Sequence, residues 1–153
     1  FEGRTAAMSC SAAAMLSALW LAAAPQAAGA PAATPPVAIS TEPLFADIVR
    51  RAGALKTEVE AFKGSTSPIP ETFGQRVGEL AALDLQAHKR LAERNLDGDL
   101  KCILRGISED LPLKLKALEE AKSAQARDVA VADMGYLLND NVEVITAPPQ
   151  APV

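Results

Sequence analysis

Four side chains in this sequence have chemistry beyond packing: Asp84, His88, Cys102 and Met134. His88 is the single histidine. Asp84 stands four residues before it, so on a helix the two share one side. Helical projection puts Asp84 inside an apolar stripe, between Val77, Leu80 and Leu91, with His88 beside it. A carboxylate in such a stripe conflicts with the local pattern, and conflicts of this kind are where function concentrates. The first expectation is a carboxylate–histidine ion pair at the edge of the core. The second is a partner-binding or oligomer-face group. The third is a metal or haem site, in which His88 works with Asp84 or with Met134, because a histidine and a methionine can ligate haem inside a four-helix bundle. That third reading lacks a second histidine, a Glu-x-x-His and a cysteine cluster. No Cys-x-x-Cys-His is present for covalent haem. The expected set is therefore no catalytic residue, no cofactor and no metal ligand, with Asp84 and His88 as the candidate functional polar residues. A haem- or metal-binding bundle, an electron carrier or metal binder, is the alternative.

The chain has two cysteines, Cys10 and Cys102. Loss of an N-terminal leader would leave Cys102 alone. It is then either a small residue against a neighbouring helix or half of an intermolecular disulfide that would make a homodimer. Searches for other chemistry are negative. There is no phosphate-binding P-loop, no G-x-G-x-x-G, no G-x-S-x-G and no His-Glu-x-x-His. Asn95-Leu96-Asp97-Gly98-Asp99 opens like a calcium loop, but its glycine comes two positions early and Gly106 stands where the bidentate glutamate belongs. An enzyme is not expected. The net charge of −4 and pI near 5.0 argue against a nucleic-acid-binding surface, which needs a Lys/Arg excess.

The N-terminal quarter is a different material from the rest. Fifteen alanines fall in the first 38 positions. From Ala12 to Ala24 every residue except Ser17 is Ala, Met, Leu or Trp. A run of about a dozen such residues has the size of a signal-peptide apolar region and falls short of the roughly 20 that span a bilayer. Pro25 ends it, and cleavage after Gly29 or Ala32 satisfies a small-x-small rule. Residues 1–32 are thus expected to be a bacterial export signal. An uncleaved inner-membrane anchor is the rival reading, and it would be the chain's one membrane contact. Residues 33–40 read as a Pro/Ala linker and 147–153 as a similar disordered tail.

Elements that would position Asp84, His88, Cys102 and Met134 lie between these ends, in a domain over 41–146. The first predicted helix spans 42–62, capped by Thr41, with Leu44, Phe45, Ile48, Val49, Ala52, Leu55, Val59 and Phe62 as its stripe and Gly64 as its stop. The second spans 71–95 and carries Phe73, Val77, Leu80, Ala87 and Leu91, with Gly74 and Gly78 as places where a neighbour can approach. The third follows Asp97-Gly98-Asp99 and carries Leu100, Ile103, Leu104, Ile107, Leu111, Leu115 and Leu118. This stripe keeps phase across Pro112, which favours one kinked helix over two. The fourth starts near Ser123 and carries Val129, Ala130, Met134, Leu137, Leu138, Asn141, Val142 and Ile145. Val142-Glu143-Val144-Ile145 alternates like a strand, but one strand has nothing to pair with.

Four amphipathic stripes on short connections predict an all-α fold, an antiparallel three- to four-helix bundle behind a signal-peptide helix. The function these features imply is that of a small periplasmic or secreted protein. It would act by binding an unidentified protein, as an accessory, scaffold or chaperone-like factor.

Overall fold

The computed structural model describes residues 38–94 and 98–148. The expected signal segment, most of the linker, Asn95-Leu96-Asp97 and the end of the tail lie outside the described residues. The described part belongs to one unit that starts at Val37. Its secondary structure is all helical, with no strand among the described residues.

Four long helices follow one another: α1 (Pro43–Val59), α2 (Glu71–Glu93), α3 (Leu100–Glu120) and α4 (Ala124–Thr146). Each packs on two neighbours, in the ring order α1, α2, α3, α4 and back to α1. Polar contacts give the directions. Glu42 meets Arg94, Arg51 meets Glu79 and Glu58 meets Arg76, so the start of α1 lies beside the end of α2. Lys114–Asp133 pairs α3 with α4, and Lys56–Asn139 pairs α1 with α4, in the same antiparallel sense. Helices α2 and α4 are diagonally opposed across the core. This is the helical bundle that the stripes predict.

The stripes become the core almost residue for residue. Phe45, Ile48, Ala52, Leu55 and Val59 of α1 are buried, as are Phe73, Val77, Leu80, Ala87 and Leu91 of α2. Leu100, Leu104, Ile107, Leu111 and Leu118 fill α3's share, with Ile103 and Leu115 half-buried at its margin. Phe62 and Phe73 meet edge to face at 5.0 Å and close the end of the α1–α2 layer. Helix α3 runs unbroken through Pro112, which has no N–H to give to the carbonyl one turn earlier.

Five expectations need correction. Thr41 does not cap α1. Its hydroxyl donates to the Ala38 carbonyl at 2.7 Å within a single 3-10 turn, Ile39–Thr41, and Glu42 takes the cap position with Pro43 in the first turn of the helix. That turn replaces the end of the expected linker, and Ile39 packs on the core. The first helix is also shorter than its stripe, because α1 ends at Val59 and a 3-10 turn carries the chain to Phe62. Gly64 then supplies a φ of 71°, which only glycine adopts without strain. Of the two glycines in α2, Gly74 faces Leu115 of α3 closely, whereas Gly78 has open space around it. On α4, Val129 is exposed, against the expectation, and Val131 is buried. Ser123 does cap α4, its hydroxyl accepting from the Ala126 N–H at 3.1 Å, and residues 142–145 are helical.

Candidate functional site

Asp84 occupies the middle of the core-facing stripe of α2 and is fully buried. Its partner is not His88. Asn141, on the diagonally opposite α4, donates from Nδ2 to Asp84 Oδ2 at 2.8 Å, and Asn141 is also fully buried. The bond therefore crosses the interior between two helices whose backbones are not neighbours. Burial pushes the Asp84 carboxyl up to about 8, and the Asn141 hydrogen bond acts in the opposite sense without offsetting it. Two atoms of this pair, Asp84 Oδ1 and Asn141 Oδ1, have no hydrogen-bond partner.

His88 sits one turn further along α2, turned toward α3 and half-buried. Its Nδ1 lies 2.6 Å from the Lys101 carbonyl oxygen, so Nδ1 carries the proton and donates. This bond ties the end of α2 to the first turn of α3. The expected carboxylate–histidine pair is thus replaced by two separate contacts, and no ion pair among the described residues includes Asp84 or His88. The physical reason is angular. Four residues turn a helix by about 40° more than a full turn, which takes His88 from the core axis to the α3 side.

Met134 is fully buried on α4 and Cys102 is half-buried on α3. The Cys102 sulfur is not a free thiol. Among the described residues, no group of three or more His, Cys, Asp or Glu side chains is placed to hold a metal ion. No described helix is long and apolar enough to cross a membrane.

Sequence reasoning missed Arg127. Its side chain is buried at the start of α4 and donates from Nη1 to the Ser67 carbonyl at 3.0 Å, while its Nε has no partner. Its neighbour Asp128 accepts the Gly64 N–H at 2.6 Å. These two bonds fasten the α1–α2 connection to the first turns of α4. The available signal was spacing. Arg127 stands seven residues before Met134, hence on the same face, but a cation among alanines reads as solvated.

At the surface, α3 and α4 leave large apolar side chains in water. Leu113 is 63%, Val129 59% and Tyr136 70% exposed. Val129 and Tyr136 are two turns apart on one face of α4. Asp133 lies between them and takes the Lys114 ammonium at 3.2 Å, and Lys114 is the chain neighbour of Leu113. Val129 and Tyr136 thus flank Asp133 on the α4 side of this ion pair, and Leu113 precedes Lys114 on α3.

No protein-family model matches the chain, and neither curated proteins nor solved structures include a significantly similar one.

Proposed function

We propose that this chain is a small exported helical-bundle protein that acts by protein binding, as an accessory, scaffold or chaperone-like factor, and that the outer α3–α4 face makes the contact. The observation carrying this reading is the exposure of Val129 and Tyr136 beside Asp133 on α4, with Leu113 exposed on the neighbouring α3, whose Lys114 pairs with Asp133. Single exposed apolar residues are ordinary. Three on two adjacent helices, with a charged pair among them, combine anchors and polar contacts as a binding surface does. Tyr136 suits such an anchor, since an exposed tyrosine brings large area and a hydroxyl at low conformational cost. Export is supported by the alanine-rich run 12–24 and the small residues around Gly29 and Ala32.

The test is capture from the native periplasm with the wild-type chain and with a Leu113→Glu/Val129→Glu/Tyr136→Glu variant. These positions face water, so the variant is expected to keep wild-type helicity and unfolding midpoint. A partner retained by the wild type and lost by the variant fits the proposal. Equal recovery with both would remove this face from consideration. Full-length, unprocessed chain in the cytoplasm would overturn export.

A further inference from the structure

The two orphaned oxygens at the bundle centre belong to one side-chain pair. An amide presents a donor and an acceptor side by side. A carboxylate presents two acceptors, so an ionised Asp84 would leave its own Oδ1 and Asn141 Oδ1 facing no donor, at the cost that unpaired buried polar atoms carry. A carboxylic acid presents one acceptor and one O–H. With the proton on Asp84 Oδ1, that O–H can donate to Asn141 Oδ1, while Asn141 Nδ2 already donates to Asp84 Oδ2 at 2.8 Å. The pair then closes into a ring of two hydrogen bonds, and both orphans are satisfied by one proton.

We propose that Asp84 is held as a neutral acid in a two-bond ring with Asn141, and that loss of its proton is an alkaline release that loosens α2 from α4. The surroundings fit a neutral group. Asp84 is fully buried, and among the described residues Asn141 is the one side chain bonded to it. Ionisable groups on the elements packed around it are Asp47, Arg50, Arg51 and Lys56 on α1, Glu79 and His88 on α2 itself, Lys101, Arg105 and Glu109 on α3, and Asp140 and Glu143 on α4, with Lys56 bonded to the Asn139 amide oxygen. None is buried. Asp47 is bonded to Arg50 and Arg51, Arg51 also to Glu79, Arg105 to Glu109, and His88 to a backbone carbonyl. Burial alone raises the carboxyl, to about 8, with no cation near enough to bring it down.

The sign of the pH dependence follows. In the unfolded chain Asp84 loses its proton near the ordinary value of 3.8, and in the folded chain near 8. Between these values the folded state binds more protons, so its advantage is complete below about 4 and is lost as pH rises toward 8, by at most about tenfold in the unfolding constant per pH unit. Above that range both states are ionised and the effect is flat.

The experiment is urea unfolding of the full chain from pH 4 to 9, for wild type and Asp84→Asn. The substituted amide can form the same two-bond ring with Asn141 and has no proton to lose. Other titrating groups cancel in the ratio of the two unfolding constants. That ratio, wild type over variant, is expected to climb by close to tenfold per unit through the weakly acidic and neutral range and to level off above about 8. A ratio independent of pH would overturn the proposal. If the variant does not fold, a carbon-13 titration of the Asp84 Cγ in the native chain decides. A midpoint near 8 is expected, and one near 3.8 would overturn it.

Discussion

Leu104→Ala is expected to cost about 2–5 kcal/mol of folding stability, the range for a fully buried leucine. Leu104 is 0% exposed and stands one turn from Leu100 and Ile107 on the core face of α3. Its removal forfeits the transfer energy of the lost carbons. It also leaves a cavity, because α3 is fixed on one side by α2 and on the other by α4 and cannot collapse toward either. Leu115 belongs to the same stripe but is half-buried, so Leu115→Ala should cost less. Leu113, on the outer face, should change stability by no more than about 0.5 kcal/mol. Denaturant unfolding of the three variants checks the order. A Leu104→Ala cost below 0.5 kcal/mol would mean that this face of α3 does not line a core.

The second large effect concerns the polar pair at the centre. Asn141→Leu removes the one side chain among the described residues that is bonded to Asp84, and leaves a fully buried carboxyl without that donor. Asp84→Leu leaves the Asn141 amide in the same position. Each single change should cost about 1–3 kcal/mol at neutral pH, the penalty for an unsatisfied buried polar group. The double change to leucine removes both polar groups and replaces them with apolar side chains of the same branching. It is expected to cost less than either single change and can exceed the wild type in stability. The cycle is thus strongly non-additive, as contacting residues are. Additive costs in the three variants would show that the two side chains do not act as a pair. A double variant more stable than the wild type would show that the pair is kept for something other than stability.

The helical architecture was legible because period 3.6 is a local property. Phe73, Val77, Leu80, Ala87 and Leu91 announce α2 without reference to any other helix, and Asp84 is visible as the misfit among them. The partner of that misfit was not legible. Asn141 lies 57 residues away on the diagonally opposite helix, and no short-range rule links them. The nearer candidate, His88, was the natural choice from sequence and is drawn instead to the Lys101 carbonyl across the α2–α3 seam. Helix α4 was the hardest to read. It packs on α1 and α3 and reaches both 3-10 turns, so a wide arc of it is buried, including Arg127 and Gly135. On so wide an arc apolar periodicity is blurred, and Val129 reads as part of the inward stripe although five residues, or about 140°, separate it from Met134. Thr41 has the right side chain for a cap. The preceding residues Ala38 to Ser40 fold into a turn that claims its hydroxyl, which residue type alone does not reveal.

The proposed binding role stands on one small area of surface, and a photo-activatable residue placed in it tests the role most directly. With such a residue at Tyr136 in the full chain, irradiation of exporting cells is expected to yield a discrete adduct with another protein. The same residue at Gln75, exposed on α2, should yield none. Identical patterns from Tyr136 and Gln75, or no adduct at either, would contradict the assignment of this bundle as a protein that works through its α3–α4 face.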